Sequence, residues 1–541
     1  MPRLARRLAA PMARRPAAGG APPAASSTSA AGAGTAHSQI RGSSLVLVGR
    51  VVSIAINFGV QVLIVRYLSK TDYGAFAYAL SISLFAQTLV TLGLDRAVTR
   101  FIPIYDERGA YDRLLGTLIF VAATVAGLGV LVIVAVYLVT GPLGIPLVRS
   151  GDAEPLLLIL ILLAPLEAAN ELFVGLFAVF SRPKAIFFRR YVLTASLRLA
   201  VSIVLVLSGS DVAVLAVGYV LTGVAGVVIS VMIFVNILRS EGLVSKFRAT
   251  VPRIPAREIL SFTVPLLTTD LVYAVMVASD VVLLGHFSGT ASVATLRAVQ
   301  PAAQMNQLVF SSFLFLFTPA ISRLFARDDR QGIDSVYWHT AGWIAILSSP
   351  IFLLTFSLAS PVTLLLFGSR YADSALILAV LSLGYFVQAA LGFNGTTLMV
   401  FGKIRTLVAL NIAAMIVNVG ANLIAIPRLG ALGAGIATAT TLVVHNILKQ
   451  AALQRAGGIH FFRREYARAY VSVVVAALAV FVAQAALHEA ILSFALGAVA
   501  SACVLGINHK ILRLQDTFPE LLRIPLVRRL LVPSTSEVAS R

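Results

Sequence analysis

Seven ionisable side chains lie within the apolar runs of this sequence, away from the ends of those runs. They comprise three arginines and four acids, which are Arg50, Glu167, Glu171, Arg198, Asp270, Asp280 and Arg297. One such charge at the centre of a bilayer costs about 2.5–3.5 kcal/mol on insertion scales. Residues that carry this cost are candidates for binding or ion transfer. The near balance of sign indicates that they meet in a polar interior.

The three arginines predict a site for an anionic group. A guanidinium stays charged and forms forked hydrogen bonds to phosphate oxygens. We therefore expect Arg50, Arg198 and Arg297 to line a central cavity and to bind a phosphate-bearing headgroup. Side-chain amides on the first and eighth runs would face the same cavity and bind sugar hydroxyls, or else bond between helices. These amides belong to Asn57, Gln61, Gln300 and Gln304.

The four acids are candidates for coupling transport to a proton or another cation, because carboxylates at membrane depth mark ion pathways. They are Asp270, Asp280, Glu167 and Glu171. Transport driven by the membrane potential is equally compatible with the sequence.

Static ion pairs are the alternative interpretation of the same acids. Counted from the ends of their runs, Glu171 and Arg198 lie at similar depth, and so do Asp280 and Arg297. Each pair could therefore fix the register of two helices without taking part in transport.

Composition indicates the class of protein that carries these charges. The chain has 541 residues, of which 58% are hydrophobic and 12% are charged, and its mean hydropathy is +0.91. Soluble domains contain about 25% charged residues. The chain is therefore predicted to be a polytopic membrane protein, which excludes a soluble enzyme, a disordered scaffold and a collagen-like fibre. Its net charge of +20 is typical of basic cytoplasmic loops, so no nucleic-acid partner is expected.

Motif searches predict no catalytic residue, cofactor or metal. The single cysteine, Cys503, excludes an internal disulfide framework. The sequence contains neither a GxxxxGK[ST] phosphate loop nor an HExxH pair.

Apolar runs near 20 residues recur from Ser43 onward, as a bilayer about 30 Å thick requires. An open strand edge in lipid would leave backbone groups unpaired, so an all-α fold with about 14 transmembrane helices is predicted. The expected spans are 44–66, 75–95, 114–140, 155–180, 187–208, 212–238, 259–284, 292–320, 337–359, 374–400, 404–426, 431–448, 469–487 and 490–508.

The distribution of Lys and Arg predicts the orientation. With a cytoplasmic N-terminus, 35 basic residues lie on the inner side, 5 on the outer side and 3 within spans. The outer ones are Arg66, Lys70, Arg149, Arg370 and Arg428. Because basic residues favour cytoplasmic loops, both termini are predicted to be cytoplasmic.

The polar, proline-containing connection 239–258 predicts a boundary between two halves. We expect a disordered basic tail over 1–42, for which an organelle transit peptide is the alternative. A six-helix bundle over 43–238, the linker 239–258 and a second six-helix bundle over 259–455 would follow. Two additional helices over 466–510 and a cytoplasmic tail over 511–541 would complete the chain. Two such halves around a central cavity are typical of transporters built from repeats.

Two segments of the sequence resemble a known family. The first covers 66–77 (RYLSKTDYGAFA) and 94–101 (LDRAVTRF). The second runs from Gly402-Lys403 through Asn411, Asn418 and Asn422 into 426–438 (IPRLGALGAGIAT). Together they resemble the polysaccharide-transporter, or oligosaccharide flippase, family of the multidrug/oligosaccharidyl-lipid/polysaccharide exporter superfamily. In span count the resemblance covers about 43–510. It departs from the family at the start of span 8, where 291–297 (ASVATLR) stands in place of the expected Gly and Tyr.

The resemblance implies a flippase that moves a polyprenyl-pyrophosphate-linked oligosaccharide across the cytoplasmic membrane by alternating access, for cell-surface polysaccharide biosynthesis. Related flippases place cationic cavity residues on the first, seventh and eighth helices against the lipid pyrophosphate. Arg50 and Arg297 lie on matching spans. The implied partners are the lipid-linked oligosaccharide, the bilayer and other membrane proteins of polysaccharide assembly. Because no covalent bond changes, we expect a transporter rather than an enzyme.

Two other functions stay open. A cation-coupled multidrug exporter of the same superfamily would favour acids and aromatic residues in the cavity over three arginines. A membrane glycosyltransferase or polysaccharide polymerase would need a sizeable external loop or catalytic carboxylates at the membrane surface.

Overall fold

The computed structural model describes residues 49–140, 153–180, 182–487 and 489–512. The predicted tail 1–42, the outer residue Arg149 and nearly all of the predicted tail 511–541 lie outside these ranges. Within them the chain is helical and contains no β-strand, which confirms the predicted all-α class.

The first half contributes the helices up to the linker. They are α1 (Gly49–Tyr67), α2 (Lys70–Thr91), α3 (Leu94–Glu107), α4 (Tyr111–Thr140), α5 (Glu154–Leu160), α6 (Leu163–Val179), α7 (Pro183–Ile186), α8 (Thr194–Ser208), α9 (Val212–Ser240) and α10 (Leu243–Arg248). A π-helical segment, Phe187–Leu193, joins α7 to α8.

The second half and the C-terminal helices follow the linker. They are α11 (Ala256–Ser288), α12 (Thr290–Gln304), α13 (Leu308–Ala326), α14 (Arg330–Phe352), α15 (Ala359–Phe367), α16 (Ala375–Ala390), α17 (Asn394–Val400), α18 (Ile404–Leu429), α19 (Ala431–Gly457), α20 (Ala467–Leu487), α21 (Ala490–Ile507) and α22 (His509–Leu512). A π-helical segment, Leu353–Ser357, precedes α15, and a 3-10 helix, Ser369–Ser374, follows it.

The number of membrane spans agrees with the prediction. Thirteen helical segments of the described chain are long and apolar enough to cross a bilayer. The bent pair Thr290–Leu314 and Leu316–Ala326, with an angle of 47°, makes a fourteenth.

The second span is longer than predicted. Helices α2 and α3 form one segment, Lys70–Glu107, with a bend at Leu92 and Gly93. Both residues have positive φ, 49° and 67°, a conformation that glycine adopts without strain. The span therefore continues past its predicted end at 95. Arg96, which the sequence places in an inner loop, lies on a membrane helix.

The helices of each half, called a bundle below, pack mostly against one another. In the first half α2, α6 and α9 pack together with α3, α4 and α8, and in the second half α11, α16, α18 and α19 form the core. Helix α2 also crosses α11 and α12, so it joins the two bundles. We call the face that holds the turn between α1 and α2 the outer face, following the charge prediction, and the opposite one the inner face.

A close contact between the bundles lies near the outer face. A Cβ atom added to Gly74 on α2 would stand 1.9 Å from the backbone oxygen of Thr290 at the start of α12. Glycine is thus required for α2 to approach α12, since small residues allow close packing of membrane helices.

Replacing Gly74 with alanine is expected to destabilise the contact between the bundles by about 1–3 kcal/mol, the usual range for overpacking. The melting temperature of the purified protein should fall. Gly59→Ala on α1 is the matched control, because its added Cβ would meet no atom within 4 Å. An equal melting temperature for Gly74→Ala and Gly59→Ala would contradict the prediction.

Candidate functional site

Two adjoining cavities lie between the bundles. The first has a volume of about 530 Å³ and is lined mainly by α2, α3, α11 and α12. The second has a volume of about 720 Å³ and extends to α1, α8, α18 and α19. They share a wall that includes Gln61, Leu80, Tyr273, Gln300 and Gln304. They therefore form parts of one central cavity, and that name is used below.

The shared wall is amide-rich because of the sequence of α12. Gln300 and Gln304 are four residues apart and so face the same side of the helix. Their Nε2 atoms donate to the hydroxyl of Tyr385 on α16 at 3.4 and 3.2 Å. Opposite them, Gln61 on α1 donates to the Tyr73 hydroxyl and, at 3.4 Å, to the backbone oxygen of Arg297.

Arg297 lines the first cavity and has neutral partners. Its Nη1 donates to Gln300 Oε1 at 2.8 Å, and its Nη2 donates to Ser81 Oγ on α2 at 2.9 Å. Its Nε is buried and has no hydrogen-bond partner. Among the described residues no carboxylate oxygen lies within 4.0 Å of this guanidinium, so no ion pair neutralises it and its Nε is free to donate a hydrogen bond.

Arg50 lines the second cavity near Ser53 and Asn57 on the same helix. Asn57 Nδ2 donates to the backbone oxygen of Ser53 at 2.7 Å and to its Oγ at 3.1 Å. Within the part of the chain that the structure describes, Arg50 has no carboxylate within ion-pairing distance.

Arg198 also lines the second cavity, but it pairs with an acid that the depth count did not select. Its Nη2 lies 3.0 Å from Glu167 Oε1, and its guanidinium lies over the Tyr219 ring at 5.3 Å. The predicted partner, Glu171, lies instead 3.5 Å from Arg190. The prediction of a Glu171–Arg198 pair is therefore wrong.

The depth count selected the wrong acid because the fifth span starts earlier than predicted. It begins at Pro183 rather than at 187, so Arg198 lies about one helical turn deeper than the sequence suggested. Glu167, one turn away from Glu171 on the same face of α6, is then the acid at matching height.

The second predicted pair, Asp280 with Arg297, is not formed either. The two side chains leave their helices toward different bundles: Arg297 reaches Ser81 in the first half, whereas Asp280 points into the second half. Equal depth along two neighbouring helices does not fix the direction in which a side chain points.

Asp280 is 4% exposed and is held by neutral donors from two helices. Its Oδ1 accepts from Asn422 Nδ2 at 2.6 Å and from Asn418 Nδ2 at 3.2 Å, both on α18. Its Oδ2 accepts from Thr438 Oγ1 on α19 at 2.7 Å. Asn422 Oδ1 is buried and has no partner. Asp280, Asn418 and Thr438 all line the second cavity, so this carboxylate borders the central space.

The inner end of the first cavity carries a charge cluster that includes Asp95, Arg96, Glu171 and Asp270. Arg96 Nη2 on α3 and Asp270 Oδ1 on α11 are 2.7 Å apart, and this ion pair connects the two bundles. Sequence reasoning missed Arg96 because the apolar run ends before it. The signal that could have found it is the basic-apolar stretch 94–101 that was already noted.

No group of three or more His, Cys, Asp or Glu side chains that could bind a metal occurs in the described ranges. The acids of the cavity occur singly or beside arginines. The geometry therefore offers charged and polar binding groups, with Arg50 and Arg297 as its unneutralised cations.

Comparison with protein families gives one match by sequence. The model of a family described as polysaccharide biosynthesis protein matches residues 40–325. No sequence match to a curated protein reaches significance.

Comparison with solved structures identifies the fold. The lipid II flippase MurJ in an inward closed conformation is 13% identical, covers 87% of this chain and 99% of its own length, and has a TM-score of 0.68. A multidrug resistance MATE family transporter of the MOP superfamily in an inward-facing conformation is 14% identical to this chain and has a TM-score of 0.63. That match covers 75% of this chain and 95% of the transporter. An outward-facing structure of such a transporter is 16% identical and has a TM-score of 0.53, and the match covers 78% of this chain and 96% of the transporter. At these identities the likeness is one of fold, and the fold is that of membrane transporters.

Proposed function

Since this chain belongs to the polysaccharide biosynthesis protein family, we propose that it is a flippase for a polyprenyl-pyrophosphate-linked oligosaccharide. The lipid-linked sugar would cross the cytoplasmic membrane toward the outer leaflet as the two bundles rock between inward-open and outward-open states. The sugar would occupy the central cavity, and the lipid tail would stay in the bilayer.

The observation that carries this proposal is that Arg297 has no acidic partner among the described residues and that its Nε is unpaired. Arg297 is half-buried, and a cation at membrane depth without an acidic partner is destabilising unless another group compensates it. Its free Nε and the remaining hydrogens of Nη1 and Nη2 match the oxygens of a phosphate, which guanidinium binds by two parallel hydrogen bonds. We assign the pyrophosphate to Arg297.

Arg50 would extend the phosphate site toward the inner leaflet. It stands near the inner end of α1, within reach of a headgroup because long basic side chains extend toward the interface. Arg198 is partly neutralised by Glu167, so its contribution would be weaker and would depend on the opening of that pair. The amides of Asn57, Gln61, Gln300 and Gln304 would bind sugar hydroxyls.

Asp280 is the preferred candidate among the four acids for coupling to a proton or another cation. It is buried beside the cavity, it forms no ion pair with Arg297, and the unpaired oxygen of Asn422 lies beside it. Amide oxygen and nitrogen exchange places by rotation of the side chain, so the same residues could present oxygens to a cation. Asp270, Glu167 and Glu171 each lie beside an arginine, which makes them weaker candidates.

A multidrug exporter remains the second candidate because the chain shares the fold of MATE transporters. Two unneutralised arginines in the cavity argue against organic cations, since like charges repel strongly where water is scarce.

The test is translocation by the purified protein in vesicles. A fluorescent polyprenyl-pyrophosphate saccharide is placed in one leaflet, and its appearance in the other is measured with a membrane-impermeant quencher. We expect protein-dependent translocation of this lipid and none of a phosphate-free glycolipid with the same chains. Transport of cationic dyes in place of the pyrophosphate lipid would identify an exporter.

A further inference from the structure

We propose that a reciprocal arginine clasp holds the outer face of this protein closed. The clasp consists of Arg66 and Lys70, which flank the turn between α1 and α2, and of Arg370 and Asp373 in the 3-10 helix after α15. The first pair belongs to the first half and the second pair to the second half. The inference rests on the proposed alternation between inward-open and outward-open states and assigns one of its gates to named residues.

Arg66 caps a helix of the opposite half. Its Nε donates to the backbone oxygen of Leu366 at 2.8 Å, and its Nη2 donates to that of Leu365. Both oxygens lie in the last turn of α15, which ends at Phe367. The last carbonyls of a helix lack partners within the helix and carry partial negative charge, so a guanidinium is well suited to cap them.

Arg370 makes the same contact in the reverse direction. Its Nη1 donates to the backbone oxygen of Leu68 at 2.8 Å, and its Nη2 donates to that of Arg66 at 3.3 Å. These oxygens lie at the end of α1, whose last residue is Tyr67. Each half thus supplies the arginine that caps a helix end of the other.

An ion pair closes the clasp beside these caps. Lys70 Nζ lies 2.8 Å from Asp373 Oδ1 and 2.9 Å from Oδ2, and 5.2 Å from the centre of the Tyr371 ring. Tyr371 is fully buried, so the lysine rests on the packed surface of the second half. The Lys70 side chain is 24% exposed and that of Asp373 is 58% exposed.

The exposure of these groups suits a gate that must open. Ion pairs and hydrogen bonds at a water-facing surface contribute little net free energy, because water replaces each contact that is lost. The clasp can therefore hold the outer face closed in one state and release it in another.

The clasp also accounts for a feature of the sequence. Basic residues are scarce on the predicted outer side, where they number five. Three of them, Arg66, Lys70 and Arg370, meet at this one place between the halves. Two of these three residues, Arg66 and Lys70, belong to the motif 66–77. The proposed substrate site does not use them, and the clasp assigns them a role.

Labelling of a cysteine inside the cavity tests the clasp without any substrate. Cys503 is replaced by serine, and Ala77, which lines the first cavity, is replaced by cysteine in the full-length protein in vesicles. A membrane-impermeant maleimide is added from the outer side. Arg66→Ala combined with Arg370→Ala is expected to raise the labelling rate at least fivefold, because the outer face opens more often.

Arg428→Ala is the matched control. Arg428 is another basic residue of the outer face, but its Nη1 donates to the backbone oxygen of Ile424 in its own helix at 3.0 Å. Its replacement should leave the labelling rate unchanged. An unchanged rate in the double variant as well, in protein that elutes and melts like the parent, would refute the clasp.

The ion pair is tested by exchange of its charges. Lys70→Asp and Asp373→Lys alone should each raise the labelling rate, and the two together should lower it toward the parent value. Additive increases in the combined variant would show that the two residues act separately and would contradict the proposal. Because these readouts need no lipid-linked sugar, they can fail while the flippase proposal holds, and the converse is also true.

Discussion

Replacing Arg297 with alanine is expected to abolish translocation of a pyrophosphate-linked saccharide. In the proposed complex, Arg297 and the pyrophosphate form a buried, hydrogen-bonded charge pair. Truncating one partner of such a pair costs about 2–5 kcal/mol, which corresponds to a loss of at least about thirtyfold in affinity. Ser81 and Gln300 also lose their charged donor, but both are neutral, so the fold should persist. The measurement is the initial translocation rate in vesicles at matched protein density.

Two variants separate phosphate binding from general damage. Arg297→Lys keeps the charge but loses the forked geometry, and it should retain a small part of the rate. Arg405→Ala removes an exposed arginine at the start of α18, outside both cavities, and should transport like the parent. Full transport by Arg297→Ala would remove the observation on which the proposed function rests.

Replacing Asp280 with asparagine is expected to lower ion-driven transport at least tenfold, if the acid is the coupling site that we propose. Asparagine has nearly the same shape, so Asn422, Asn418 and Thr438 can still surround it. A neutral amide, however, can neither take up a proton nor neutralise a bound cation. Translocation is measured under an imposed pH gradient and under an imposed sodium gradient, and the parent should respond to the gradient of the coupling ion.

The informative comparison is Asp270→Asn. Asp270 is paired with Arg96 across the two bundles, so its replacement should weaken a contact between halves and leave the response to the gradient in place. If Asp270→Asn removes that response and Asp280→Asn keeps it, the coupling role belongs to Asp270.

Much of the architecture follows from the sequence because the bilayer imposes it. Long apolar runs can only be helices, and their count is about 14, as predicted. The family resemblance is confirmed by the family match over residues 40–325, a range that contains the motif 66–77. The second motif, 426–438, lies outside the matched range but contains Thr438, which contacts Asp280.

The partners of the buried charges could not be predicted, because depth along a helix is not direction around it. The depth count assigned Glu171 to Arg198, and an error of four residues at the start of a span was enough to select the wrong acid. It assigned Asp280 to Arg297, although those side chains point into different bundles. The spacing of Asn418 and Asn422, four residues apart on one face, was the available signal for a polar site in span 11.

Within the described ranges, the second half supplies the contacts that anchor the C-terminal helices. Asp334 on α14 accepts from the backbone nitrogen of His460 at 2.9 Å and pairs with Arg463 at 2.8 Å. The Ser357 hydroxyl donates to Ala477 on α20, and the Trp343 indole donates to the backbone oxygen of Ile511 on α22. A fluorophore attached close to Leu512 would consequently report the tilt of the second bundle, so a partner dye on the first bundle would turn the transport cycle into a change of energy-transfer efficiency.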